Sequence, residues 1–199
     1  LIPVAARKFR SETLRVASRF TNPSARARER IRAERDLVAE TVRRITADAV
    51  WSEPFAKPRD DVATSFFGTR RMFNGQVRSR HLGYDLRGEP GDPIYASNRG
   101  RVALARDLYF SGNSVYLDHG LGLFTAYFHM SEILVEEGEW VEKGRLIGKV
   151  GATGRVTGPH VHWSISFQGI PLDPEHLLTL SAPPAGPRAP ETDRASSPR

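Results

Sequence analysis

The stretch Gly158-Pro159-His160-Val161-His162-Trp163 is the most informative part of this 199-residue chain. His160 and His162 stand two residues apart at the start of a segment, 161–167, that alternates as a β-strand does. In a strand this spacing places both imidazoles on one face, roughly 6–7 Å apart along the strand. Two imidazoles on one face suit a metal ion, or a metal ion and the group beside it. Because such pairs also occur on ordinary strand faces, the interpretation depends on partners elsewhere.

Metal-competent side chains are present in two other segments. His81 and Asp85 are four residues apart, an even spacing that returns both to one face of an extended segment, and Gly83 between them argues against a helix. His129 ends another predicted strand. The chain has no cysteine, so a metal must be held by histidines and carboxylates. One aspartate and two histidines make a three-ligand set for zinc that leaves one position for water.

The sequence of residues 61–180 is typical of a mainly β domain, with short β segments separated by glycines. Strands at this spacing predict an antiparallel β-sandwich or barrel-like architecture. The last stretch, 181–199, is composed mostly of Pro, Ala, Ser and Arg and predicts a disordered tail. We predict strands near residues 93–97, 99–107, 113–118, 122–129, 145–150 and 161–167, and a short helical turn at Pro174–Leu178.

Residues 1–60 form a predicted N-terminal extension that contains a strand and a helix. Leu14, Val16 and Phe20 share one parity, which predicts a short amphipathic strand. Asn22-Pro23 is typical of an N-cap followed by proline at the first helical position, so a helix is expected over about residues 23–48. Its apolar stripe, which we expect to pack on the main domain or on a partner, consists of Ile31, Val38, Val42 and Ile45.

The positive charge of the chain is concentrated in this extension. Residues 1–50 hold 12 Lys and Arg against 6 Asp and Glu, a net charge of +6 that equals the net charge of the whole chain. A basic surface of this kind suits an anionic polymer or a protein partner. Because no nucleic-acid motif or interleaved aromatic pattern accompanies it, we predict no nucleic-acid partner. No apolar run approaches the roughly 18–20 residues that span a bilayer, so no transmembrane segment is predicted.

The three metal-competent segments resemble the signatures of the lysostaphin-like, or LytM-type, zinc endopeptidases of bacterial cell walls. The signatures are His81-x-x-x-Asp85, Tyr127-x-His129-x-Ser131 and His160-x-His162, in the same order and at matching separations. The resemblance covers roughly residues 62–176. More loosely, the extension resembles the strand and helix that precede the peptidase in some Gram-negative members.

The resemblance implies one zinc ion per chain, ligated by His81, Asp85 and His162. His129 and His160 would then lie beside the metal without binding it. One of them would orient and deprotonate the water, and the other would stabilise the oxyanion or protonate the leaving amine. The sequence leaves that assignment open. Tyr127 is a further candidate for substrate binding through the oxyanion, although a strand tyrosine more often serves packing.

The implied function is hydrolysis of peptide stems or cross-links of peptidoglycan by an exported protein of the periplasm or cell envelope. In a Gram-negative envelope the expected bond joins D-Ala to meso-diaminopimelate. The alternative is a non-catalytic cell-wall-binding or amidase-regulating module of the same fold, and the intact ligand set counts against it. The basic extension is expected either to restrict access to the site or to dock onto wall polymer or an envelope protein. The two remaining histidines are assigned to a hairpin turn (His119) and to the surface (His176).

Overall fold

The computed structural model describes residues 8–180, so the predicted C-terminal tail lies outside the described residues. Within them the chain is mainly β, as predicted. The N-terminal part contains β1 (Ser11–Leu14), a 3-10 turn (Ser18–Phe20) and α1 (Ala25–Val42). It is followed by β2 (Ala63–Ser65), β3 (Arg70–Phe73), β4 (Val77–Arg80), β5 (Gly83–Arg87), β6 (Pro93–Tyr95), β7 (Gly100–Leu108), β8 (Gly112–Asp118), β9 (Leu123–Met130), β10 (Glu132–Ile133), β11 (Trp140–Val141), β12 (Leu146–Lys149), β13 (His160–Phe167), β14 (Ile170–Leu172) and α2 (Pro174–Leu178).

The strands form one large sheet and two small ones. The large sheet has eight strands in the order β11-β7-β8-β9-β13-β5-β2, with β14 paired to β13. One small sheet has the order β10-β12-β6 and the other β1-β3-β4. All pairings are antiparallel except that of β1 with β3, which is parallel. The antiparallel architecture predicted for the domain is therefore confirmed.

Two predicted features of the extension are wrong at their boundaries. The strand ends at Leu14, and Phe20 lies in the 3-10 turn instead. The N-cap of α1 is Ser24, whose hydroxyl accepts from a first-turn N–H, and not Asn22. The helix ends at Val42 and not near residue 48, because the following backbone bonds to the turn after β8: Thr46 accepts from the N–H of Leu121.

The alternation along β13 separates the core from the site. Val161 and Trp163 are fully buried in the main hydrophobic core, whereas His160 and His162 point to the opposite face. Burial of a large apolar side chain stabilises a fold by about 1.5–3 kcal/mol, so the core face fixes the strand's register and with it the facing of both histidines.

The extension packs on this domain at two places. Glu12 of β1 lies opposite Arg71 of β3, which brings the first strand beside the site face. The apolar stripe of α1, through Leu37, Val38 and Val42, packs against a second core cluster that includes Leu104. Ile45, beyond the end of α1, is 62% exposed and does not continue the stripe. Among residues 8–180, no helix has the length and apolar character that crossing a membrane requires.

Candidate active site

Strand pairing brings the predicted ligands together. In the registers of β13 with β5 and with β9, His162 lies directly opposite Asp85 on one side and Phe128 on the other. Directly opposed residues on one sheet face are within side-chain contact. His81 precedes β5, and its backbone N–H donates to Thr69, which fixes the segment that enters the site.

The donor atoms of His81, Asp85 and His162 form a small triangle. Nε2 of His81 lies 2.9 Å from Oδ1 of Asp85 and 2.9 Å from Nδ1 of His162. The third side, from Nδ1 of His162 to Oδ1 of Asp85, is 2.8 Å. All three residues are buried, and the group can hold one metal ion. Two imidazole nitrogens and a carboxylate oxygen, with no thiolate, fit zinc and leave a fourth position open.

The outer contacts of the ligands keep these atoms directed at one another. Nδ1 of His81 donates to the carbonyl of Phe66 at 3.0 Å, so its Nε2 presents a lone pair to the triangle. Arg71 donates to the second carboxylate oxygen of Asp85, which leaves Oδ1 facing both imidazoles. The ring of His162 stacks on that of Phe128, with centroids 5.1 Å apart and planes 4° from parallel.

Gly83 gives His162 the space it needs. A Cβ at this position would lie 2.7 Å from Nε2 of His162 and 2.4 Å from the carbonyl oxygen of Trp163. Both distances are too short for a real side chain, so glycine is the one residue that lets β5 approach β13 here. The glycine that argues against a helix in the sequence is thus also required for the close packing of β5 against His162.

Burial and polar contacts set the protonation of Asp85 and His162. Burial would raise the pKa of Asp85, but its contacts with the imidazoles of His162 and His81 outweigh it and hold the pKa of this carboxyl well below its usual range. Burial lowers the pKa of His162 to about 4, so its ring is neutral near pH 7. A carboxylate and neutral imidazoles are the protonation states that metal ligation requires.

His129 and His160 stand side by side next to the triangle. Their ring centroids are 4.9 Å apart, and Nε2 of His160 lies 3.5 Å from Oδ1 of Asp85. Nδ1 of His160 donates to the carbonyl of Gly158 at 2.9 Å, and Nδ1 of His129 donates to that of Thr153 at 2.8 Å. Because a carbonyl can only accept, Nδ1 of each ring carries a proton, so Nε2 is the nitrogen that can gain or lose one.

An unusual backbone conformation places His129 in the site. Strict alternation after Phe128 would turn His129 toward the core, but its φ is +65° and the pairing of β8 with β9 shifts register nearby. The left-handed conformation is uncommon for residues other than glycine and recurs at functional sites. Burial, reinforced by His160 and His162, holds the pKa of His129 well below its ordinary value.

Tyr127 does not have the position predicted for a substrate-binding residue. Its side chain has no exposed surface and belongs to the main core, and its hydroxyl accepts from the N–H of Ser97 at 2.9 Å. Alternation along β9 explains this, because Tyr127 and the site-facing Phe128 point to opposite sides of the sheet. The prediction for Tyr127 is therefore wrong, and the packing role is the correct one.

Several residues of the site carry no signal in the sequence. Arg71 also donates to Ser65 at 2.9 Å, and Glu12 accepts from that hydroxyl at 3.0 Å and lies 3.4 Å from Nε of Arg71. This chain of contacts joins the N-terminal strand to a predicted metal ligand. Glu12 is 53 residues from Ser65, and no local pattern reports a contact of that range.

Asp85 of the triangle and the two histidines open on a cleft of about 380 Å³. Asp85, His129 and His160 line it, together with Glu12 and with Arg155 from the loop before β13. A substrate in this cleft would therefore meet Asp85, the two histidines and a part of the extension.

A metal-donor set without thiolates, beside two further histidines in an open cleft, is the arrangement expected of a metal-dependent hydrolase. Comparison with known proteins gives the family. The family model of peptidase family M23 matches residues 79–174, and the chain belongs to this family. The resemblance found in the sequence is thereby confirmed.

Individual relatives agree with this assignment. The chain is 40% identical over 111 residues to the peptidoglycan DD-endopeptidase ShyA of Vibrio cholerae, covering 55% of this chain and 26% of the relative. A zinc containing peptidase from Vibrio cholerae is 32% identical with a TM-score of 0.55, over 69% of this chain and 41% of that one. The catalytic domain of the M23 protein EnpA from Enterococcus faecalis is 31% identical with a TM-score of 0.50, over 58% and 87%. The chain thus spans about a quarter of the length of the curated relatives it matches.

Proposed function

We propose that this chain is a zinc-dependent endopeptidase that hydrolyses peptide bonds in bacterial peptidoglycan. The observation that carries the proposal is the buried triangle of His81, Asp85 and His162 with His129 and His160 beside it, in a chain of family M23. The similarity to a peptidoglycan DD-endopeptidase supports the substrate, and the similarity to a zinc containing peptidase supports the metal. In a Gram-negative wall the expected bond joins D-Ala to meso-diaminopimelate.

The chain contributes a preorganised donor set. Nε2 of His81, Oδ1 of Asp85 and Nδ1 of His162 would hold the metal, and the outer contacts of Phe66 and Arg71 keep two of these donors oriented. When bound, zinc polarises a peptide carbonyl and lowers the pKa of a water molecule toward about 7.

His129 and His160 handle the proton. In each ring Nδ1 is held by a backbone carbonyl, so Nε2 is the nitrogen that can exchange a proton. One ring accepts the proton of the attacking water, and a ring that has gained a proton can donate it to the leaving amine. The 4.9 Å between the ring centroids keeps both groups within one reacting site. No Glu base of the His-Glu-x-x-His type is needed for this chemistry.

The proposal is tested by digestion of purified sacculi. The wild-type protein and a His162→Ala variant are incubated with sacculi, with and without a chelator, and released muropeptides are identified by mass. Release by the wild type, absent in the variant and after chelation, is the expected result and identifies the bond. No release from any wall type, with no bound zinc, would instead favour the non-catalytic binding or regulating module.

A protein with this substrate acts outside the cytoplasmic membrane, so we propose export to the periplasm or cell envelope. The outer surface of α1 then faces wall polymer and envelope proteins, and its exposed arginines include Arg26, Arg28 and Arg32. Replacing these three by glutamate should weaken binding to sacculi, measured by co-sedimentation, while cleavage of a soluble muropeptide is unchanged. Unchanged co-sedimentation would exclude this surface as the docking site.

Restriction of access by the extension is a separate proposal. It is supported by Leu14 and Val16, which line the cleft alongside Glu12. Replacing Leu14 and Val16 by alanine removes bulk from this wall and should raise the rate of sacculus digestion. An equal or lower rate, in a variant with the thermal stability of the wild type, would contradict the proposal.

A further inference from the structure

Arg155 is held in the cleft by two aromatic rings. The central carbon of its guanidinium lies 4.1 Å from the ring centroid of Phe73 and 4.6 Å from that of Phe110. Its backbone N–H donates to the carbonyl of Phe110 at 2.8 Å. Stacking of this kind is favourable and limits the orientations of the planar guanidinium. The side chain is therefore ordered before any ligand arrives.

The charge of Arg155 has no acidic partner among residues 8–180. Arg71, which lines the same cleft, pairs with both Glu12 and Asp85. Within the described part of the chain no ion pair involves Arg155, although the side chain is partly buried. Burial, with a smaller effect of Arg71, lowers the pKa of Arg155, as expected for a cation that lacks a counter-ion. An anion brought into the cleft would supply the missing partner.

Arg155 is also tied to the proton-handling histidines. It lies two residues after Thr153, whose carbonyl accepts from Nδ1 of His129. The hydroxyl of Thr153 donates to the carbonyl of Met130, so the loop that carries Arg155 is anchored to the end of β9. Arg155, His129 and His160 line one continuous cleft.

The substrate of the proposed function contains a matching anion, and the inference rests on that function. In a D-Ala to meso-diaminopimelate cross-link, the carbon that bears the scissile nitrogen also bears a free carboxylate. Arginine binds carboxylates through two parallel N–H donors, which fixes the position and the orientation of the bound group. We infer that Arg155 binds the free carboxylate of the stem peptide that adjoins the scissile bond, and so selects substrates that carry it.

The test uses two soluble cross-linked peptides that differ only in this carboxylate, which is free in one and a carboxamide in the other. Wild-type kcat/KM should favour the free acid by about 10- to 100-fold, the range of a hydrogen bond to a charged group. Arg155→Gln should reduce this preference to within about twofold, mainly through KM, while Arg155→Lys, which keeps the charge without the fork, should retain part of it.

Arg19→Gln is the matched control. Arg19 also stacks on an aromatic ring, 4.7 Å from the centroid of Phe20, but it does not line the cleft. The control should keep the wild-type preference for the free acid. If Arg155→Gln slows both substrates by the same factor and leaves the preference intact, Arg155 only pins its loop and the inference is wrong.

A binding measurement separates this inference from the proposed function. Uncross-linked tetrapeptides with the free carboxylate and with the carboxamide are titrated by calorimetry, which requires no turnover. Failure of the wild type to cut either cross-linked peptide would count against the proposed function alone. Equal binding of the two tetrapeptides, or binding of neither, would overturn the role of Arg155.

Discussion

Two clusters of histidines and hydroxyls lie on opposite sides of β9. The cluster in the cleft has a chemical role, and the cluster in the core has a structural role. On the cleft side, His129 uses Nδ1 in a hydrogen bond, and its Nε2 has no hydrogen-bond partner among residues 8–180. On the core side, His119 uses both nitrogens, at 2.7 Å from the carbonyl of Arg99 and 2.7 Å from the hydroxyl of Thr125. Thr125 continues to the hydroxyl of Tyr127 at 2.9 Å. A fully satisfied histidine is structural, whereas a histidine with a free, accessible lone pair is available for chemistry.

Loss of a metal ligand should give the largest difference between the two clusters. His81→Ala removes one corner of the triangle, and a metal supplies several kcal/mol of transition-state stabilisation, so turnover should fall by about a thousandfold or more. Zinc content, measured by atomic absorption, should fall with it. His119→Gln should keep full zinc content. If His81→Ala retains both zinc and activity, the triangle is not the metal site.

Loss of a cleft histidine that does not bind metal should have the next largest effect. His129→Ala and His160→Ala each remove one proton acceptor, and general acid–base catalysis contributes about 10²–10⁴-fold. Turnover should fall within that range while zinc content is unchanged. Loss of zinc from either variant would instead make that residue a ligand.

A smaller effect is expected from the contacts behind Asp85. Arg71→Met leaves one carboxylate oxygen of Asp85 without its donor, and removal of such outer partners weakens metal affinity or activity by about 10–100-fold. Glu12→Gln, one contact further out, should cost less than Arg71→Met and still be measurable by zinc competition. If Glu12→Gln equals the wild type while Arg71→Met is impaired, the extension does not contribute to the metal site.

Much of the fold around the cleft, and most of the candidate site, could be predicted from local sequence. The strand that holds His160 and His162 is evident from alternation, and the resemblance supplies the ligand set. The contact of Glu12 with Ser65 could not be predicted, since parallel pairing of β1 with β3 is decided by long-range packing. The left-handed φ of His129 is likewise set by a register shift between strands.

The burial of His119 also could not be predicted from local sequence. Its place beside Asp118 and Gly120 correctly indicates a turn, but not that the ring is completely buried. The side chain enters the core because the carbonyl of Arg99, just before β7, accepts from its Nδ1, and the hydroxyl of Thr125, on β9, donates to its Nε2. Exposure of a turn residue therefore cannot be judged from the residues of the turn alone.

The smallest effect on turnover is expected from changes at His119. This residue should instead make the free energy of unfolding depend on pH, which tests its structural role directly. Burial lowers its pKa to about 4 in the folded protein, against about 6.5 in an unfolded chain. Between these values the unfolded state binds more protons, so the free energy of unfolding should fall as the pH drops from about 6.5 to about 4, by roughly 3 kcal/mol in total.

His119→Gln removes this titration and keeps a side chain that can donate and accept. At pH 7.5 the wild type should be more stable by about 1–2 kcal/mol, and near pH 4.5 this advantage should vanish or reverse. Denaturant unfolding of both proteins, with a chelator throughout, measures the difference, and the other histidines cancel because they are common to both. A constant difference across this range would show that His119 is not held neutral. His119 could then no longer be described as a buried structural histidine that contrasts with His129.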